Sequence, residues 1–165
     1  MQQAAREGTR AEVVERAIKF LPETISVDAC YHGKNTIREI RRRCIIVGIS
    51  GGITDETFPQ EKKGMQEKVQ LRFAEFEADT PIVDAFAAFD RYCVRPAGPV
   101  EVLSIGRKSF CDEPRNILAL GQSLGNNGER YVYVFGPAND RDAHLHWGGT
   151  IPKGMLCAVV DLKKE

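Results

Sequence analysis

The sequence predicts a single α+β domain spanning residues 1–165, with a predominantly antiparallel sheet of five or six strands and about three helices. Three observations lead there. Helical and strand periodicities are interspersed along the chain without a regular βαβ alternation. Arg130–Phe135 is apolar at both parities, as a strand in the middle of a sheet is. No internal repeat, low-complexity tract or Pro/Gly/Ser-rich linker divides the chain, and 165 residues can bury an adequate single core.

Taken in order, Thr9-Arg10-Ala11-Glu12 is a capping box, in which hydroxyl and carboxylate each satisfy an orphan helix donor. Val14, Ala17, Ile18 and Leu21 follow at i, i+3, i+4 and i+7, so a first helix is expected up to Pro22. Ile25–Tyr31 reads as a strand. A second T-x-x-E, Thr36 to Glu39, opens a short helix ending in Arg41-Arg42-Arg43. Cys44–Ile49 reads as a strand closed by Ser50-Gly51-Gly52, and 54–64 as an exposed polar loop. Val69, Leu71 and Phe73 alternate with polar residues, a half-buried strand whose alternation slips near Glu75-Phe76.

Thr80-Pro81 starts a helix with a hydroxyl cap and proline at its first position, and Ile82, Phe86, Phe89 and Cys93 share one face. Val100–Ile105 is expected to be a strand and Pro114–Leu120 a short helix. Gly125-Asn126-Asn127-Gly128 signals a turn. The strand Arg130–Phe135 and a last strand, Met155–Leu162, complete the set.

Lys+Arg and Asp+Glu number 23 each. This balance argues against a whole-protein electrostatic grip on nucleic acid or anionic membrane, though not against a local patch. No apolar run is long enough for a transmembrane helix, and the N-terminal residues have no signal-peptide core. The five cysteines are scattered, with no CxxC. Reduced thiols in a cytoplasmic or nuclear, non-secreted protein are the simplest expectation.

The most unusual chemistry is concentrated in 140–149, which holds two of the three histidines and the only tryptophan. On an extended segment His144 and His146 point to one face and could together grip zinc. Cys30 and His32 have the same spacing, so the two pairs would make a four-ligand Cys-His-His-His site, with Cys157 able to replace Cys30. The competing reading has both histidines hydrogen-bonded to neighbours such as Asp140 and Asp142. His144-Leu145-His146-Trp147-Gly148 resembles the zinc-binding H-x-H-W-G strand of α-type carbonic anhydrases, which implies metal-ligand roles for His144 and His146. The resemblance covers five residues, and no later histidine supplies that family's third ligand.

A second candidate is the basic helix. Arg38, Arg41, Arg42 and Arg43, with Lys34, oppose a single Glu39 and could bind phosphate of a nucleic acid or an anionic lipid. The alternative is a solvated helix end whose cations suit the helix dipole. Gly48-Ile49-Ser50-Gly51-Gly52 matches neither a dinucleotide fingerprint nor a P-loop. Cys111 could act as a thiol nucleophile paired with His144 or His146, but no protease signature surrounds it. Catalytic residues are therefore unassigned.

The function expected is a non-enzymatic binding or assembly protein that acts through its surface and sheet edges, with a protein or itself as partner. Tyr131, Tyr133 and Trp147 are its candidate contact aromatics. No cofactor is expected in that case. The alternatives are a small zinc protein, a hydrolase if a coordination position stays open, and a phosphate or nucleic-acid binder. A strand, a helix carrying Phe89-Asp90-Arg91-Tyr92, a glycine and another strand resemble in order the core of rhabdovirus matrix proteins, which implies one form the assembly role could take.

Overall fold

In the computed structural model, residues 18–108, 115–124 and 130–162 are described. The helix expected from Thr9 falls almost wholly outside them, as do Cys111 and the Gly125–Gly128 turn. Its last turn is not helical: Ile18–Phe20 is a strand, β1.

Among the described residues the main sheet has nine strands, which corrects the expectation of five or six. Beyond β1 they are β2 (Ile25–His32), β3 (Gly48–Ile49), β4 (Lys63–Phe76), β6 (Val94–Pro96), β7 (Ile117–Leu124), β8 (Arg130–Phe135), β9 (Asp142–Trp147) and β11 (Leu156–Asp161). A separate two-stranded sheet pairs β5 (Thr80–Pro81) with β10 (Thr150–Ile151). The helices are α1 (Thr36–Arg42), α2 (Ile82–Arg91) and α3 (Pro99–Leu103). The main sheet is also mixed, since β11 pairs β7 and β3 pairs β9 in parallel. The undercount has a physical cause. β1, β3 and β6 are two or three residues long, too short to carry a period of two, and exist because a neighbouring strand offers hydrogen bonds.

The strands run β1-β4-β11-β7-β8-β9-β3, with β2 also on β4 and β6 also on β11. β1 and β2 lie in line along the same side of β4: Ile18 pairs with Phe76, Leu21 N–H donates to the Phe73 carbonyl, and Ile25 pairs with Leu71. Pro22, which cannot donate to a ladder, sits at a bend in the break between them.

Alternation along the central strands feeds two cores. Leu71, Phe73, Ile117, Val132, Val134 and Leu156 join Ile37 and Ile40 of α1 and Val100 and Leu103 of α3. Phe76, Leu118, Leu120, Cys157 and Val159 join Ile82 and Phe89 of α2 on the opposite face. This explains the slip at Glu75-Phe76, because the end of β4 is covered on both faces and Phe73, Ala74 and Phe76 are all buried. It also explains two reversals. Ile117–Leu124 is a strand because its apolar run fits between β11 and β8. Pro99–Leu103 is a helix because proline opens it and Glu101 accepts the Gly98 N–H at 2.9 Å. Cys44–Ile49 contributes only Gly48–Ile49 to a strand. The 54–64 segment is not wholly exposed, since Phe58 is fully buried.

Candidate interaction surface

β9 presents alternate residues to opposite faces. Ala143 and Leu145 join the core on the α1/α3 side, so His144 and His146 share the other face, as their spacing requires. Their neighbours are aromatic. His144 lies 4.9 Å from the Phe135 ring and 6.1 Å from Tyr133, and His146 meets Tyr133 edge-on at 6.3 Å. The His146 Nε2 is 2.9 Å from the Thr150 carbonyl oxygen, a bond that requires the Nε2–H form. Neither Asp140 nor Asp142 is a hydrogen-bond partner of these rings among the described contacts.

Cys30 and His32 also share a face of β2, but four strands lie between β2 and β9. Zinc holds its ligands at about 2.0–2.3 Å, so the two pairs would have to lie on neighbouring strands to share one ion. The sheet therefore does not bring the two pairs together. Cys157 of β11 is three spacings from β9, about 14 Å, and fully buried, with its thiol pushed up to about 12 by burial. Among the described residues no three His, Cys, Asp or Glu side chains are grouped to hold a metal ion.

The basic helix is largely engaged internally. Arg41 Nη1 donates to the Ile49 carbonyl at 3.1 Å, and its Nη2 to Ser50 at 2.8 Å and Ile53 at 2.7 Å, so it ties the 49–53 loop to α1. Arg42 forms a 2.9 Å ion pair with Glu39, and Arg43 approaches the same carboxylate at 3.6 Å. The Arg42 hydrogen bond holds the Glu39 carboxyl below its usual range. Asp55 occupies the helix's N-terminal end, accepting from Ile37 N–H at 2.6 Å and Arg38 N–H at 3.1 Å. Lys34 and Arg38 are exposed and carry no side-chain partner among the described residues.

No protein-family model, curated protein or solved structure matches this chain.

Arg38 and Arg41 line a cleft of about 360 Å³ with Ile37, Thr54, Asp55 and Glu56, and two other surfaces could also engage another molecule. The first is the Trp147 end of the β8–β9 ribbon. Trp147 is 63% exposed, and the guanidinium of its cross-strand partner Arg130 lies 3.5 Å from the ring centroid. Tyr131 is buried and Tyr133 half-buried, so of the three aromatics singled out above only Trp147 stands out from the surface. β3 pairs with the outer edge of β9 at Asp142 and Ala143. Arg141 and Ala143 direct their carbonyls outward to Val47 and Ser50. By the same alternation Leu145 and Trp147 turn their N–H and C=O outward, where no strand pairs with them among the described residues.

The second surface is a cleft of about 650 Å³ between β4 (Glu67–Gln70) and the end of β11 (Val160, Asp161), with Arg95 of β6 in its wall. Sequence reasoning missed it. Beneath it lies a charged cluster. Glu101, 3% exposed, accepts two 2.8 Å bonds from the Arg95 guanidinium. Lys62 pairs with Glu67 at 3.0 Å and sits 4.9 Å from the Tyr31 ring. Burial, then Glu101 and Glu67, push the Tyr31 hydroxyl up to about 12, so it stays protonated. The one sequence signal for this cluster was glutamate three residues after Gly98, at the start of a proline-led helix.

Among the described residues no helix is long and apolar enough to cross a membrane.

Proposed function

We propose that this chain is a non-enzymatic binding or assembly protein whose contact surface is the Trp147 end of the β8–β9 ribbon, with another copy of itself as partner. The observation that carries this reading is the exposed Trp147 under the Arg130 guanidinium. Tryptophan and arginine are the residue types that dominate interface energetics, and a stacked pair is already ordered before contact. The outward N–H and C=O groups of Leu145 and Trp147 suit it further, since an unpaired edge is a template for another strand. A net charge of zero offers little repulsion between copies. We place the protein in a reducing compartment, in keeping with the four described cysteines, all of them free thiols.

The test is sedimentation velocity from micromolar to high micromolar concentration, read alongside the fluorescence of the single tryptophan. Self-association should grow with concentration while the emission shifts to the blue as Trp147 leaves water. Trp147→Ala should weaken association by at least ~30-fold, the effect of losing an interface anchor worth about 2 kcal/mol. A chain that stays monomeric throughout, or a variant that associates as the wild type does, overturns the reading.

A further inference from the structure

We infer that the cleft between β4 and β11 is a peptide-binding site that takes an extended segment of another polypeptide as an added strand along β4. It is distant from the Trp147 surface and does not depend on that reading.

The argument begins with the register. β11 pairs with β4 from Leu156↔Glu75 to Val159↔Arg72 and then leaves it. Among the described residues its last residues continue only with β6, as Val159↔Pro96, Val160↔Arg95 and Asp161↔Val94. The two strands diverge from that point, and an ion pair at 2.7 Å between Arg72 and Asp161 spans them near the fork. β4 continues for nine more residues, Lys63–Leu71, with β2 on one side and no strand on the other among the described residues.

Which backbone groups face the cleft follows from alternation. The Phe73 carbonyl accepts from Leu21, so odd-numbered residues of β4 direct N–H and C=O toward β1 and β2. Even-numbered residues direct theirs the other way. Arg72 uses them on β11, whereas Gln70, Lys68 and Gln66 turn theirs toward the cleft side. On the opposite wall Ala158 and Leu162 are bonded toward β6, so Asp161 turns its N–H and C=O toward the cleft. An occupant that satisfies a row of alternating donors and acceptors at strand spacing is itself an extended chain.

The walls set its side-chain pattern. On one face an inserted strand meets Val69, Val160, the Glu67 carboxylate paired with Lys62, and the Arg95–Glu101 pair, so that the charges there are mutually satisfied. On the other it lies beside exposed Lys68 and Gln70. The segment that fits is amphipathic, with alternate residues apolar. Two to three of its residues would pair with Gln66, Lys68 and Gln70.

Amide hydrogen exchange followed by NMR tests the site in the free protein first. Gln66, Lys68 and Gln70 should exchange fast while Val69 and Leu71, bonded to β2, exchange at least ~100-fold more slowly. A displayed library of random decapeptides is then selected on the whole protein. Selected peptides should alternate apolar and polar residues and slow the exchange of those three amides. They should lose at least ~10-fold in affinity when every second amide is N-methylated, or when the target carries Lys68→Pro. That substitution removes a cleft-facing donor and leaves the β2 ladder in place. The N-methylated peptides give the same answer should that variant not fold. The inference is overturned if the three amides are already protected in the free protein, if no binder emerges, or if binders tolerate N-methylation and protect other residues.

Discussion

Removing the carboxylate of Glu101 should cost far more than its place in a five-residue helix suggests. Its oxygens accept two 2.8 Å bonds from Arg95 and one of 2.9 Å from the Gly98 amide. Glu101→Ala forfeits the amide bond at the start of α3, about 1 kcal/mol. It also leaves the Arg95 guanidinium without its carboxylate. Orphaning a fully buried partner costs about 3–5 kcal/mol, but the Arg95 side chain is 42% exposed and can take up water, which lowers the penalty. The expected total is about 2–3 kcal/mol. At this chain length that is a fall in Tm of about 5–10 °C.

The same carboxylate makes a pH prediction with a definite sign. Burial raises the affinity of Glu101 for a proton, yet the Arg95 bonds, the Gly98 amide and the charges of Arg95 and Lys62 outweigh it, and the net direction is down. A group held lower in the folded state than in the unfolded chain contributes fully above the unfolded value of about 4.3. That contribution is lost as pH falls through the folded value. Urea melts from pH 7 to pH 3 should therefore show wild type losing stability more steeply than Glu101→Gln. A double-mutant cycle with Arg95→Met should return a coupling of about 1–2 kcal/mol. A loss below about 0.5 kcal/mol for Glu101→Ala, or identical pH slopes for wild type and Glu101→Gln, would refute the assignment of this pair as a structural anchor.

Two further outcomes are expected. Cys44 and Cys93 have φ of 50° and 54° just past the ends of α1 and α2, where glycine is the usual residue. Cys44→Gly and Cys93→Gly should each raise stability by about 0.5–1 kcal/mol in urea titration, and a loss would show that the thiols contribute packing that outweighs the backbone strain. In the native protein a thiol reagent followed by mass spectrometry should label exposed Cys44 and Cys93 rapidly. Cys157, fully buried with its thiol pushed up to about 12, should react only on unfolding, and rapid native labelling there would contradict the packing of β11.

Much of the architecture was legible in local pattern. β8 shows its central position because both parities are apolar, and it does lie between β7 and β9. The Thr36–Glu39 signal falls on α1, but no capping box forms there: Asn35 is the cap, the Thr36 hydroxyl donates to the Gly33 carbonyl at 2.8 Å and Glu39 pairs with Arg42. The stripe from Ile82 to Phe89 marks α2, although Pro81 caps α2 as Thr80 pairs with Ile151. The common face of His144 and His146 follows from a period of two. Where local pattern misled, a neighbour decided. Val100–Ile105 has strand-forming side chains, yet capping by Glu101 and burial against the sheet make it a helix. The Pro114–Leu120 stretch reads as helix, yet from Ile117 onward it supplies the ladder between β11 and β8.

The candidate sites divide the same way. Periodicity and charge balance are read directly off the chain, and so the sequence alone determines which side chains share a face, that helices run near Thr36 and Ile82, and that no global charge drives association. Distances between strands are set by pairing order, which no local pattern encodes. Only the tertiary structure places four strands between β2 and β9 in the pairing order and so separates two pairs of would-be metal ligands. The same holds for Arg41, drawn onto three loop carbonyls, and for the fork where β11 exchanges β4 for β6 and leaves a strand edge facing a cleft. Each is the outcome of a competition among hydrogen-bond partners far apart in the chain, and the packing of the whole sheet decides it.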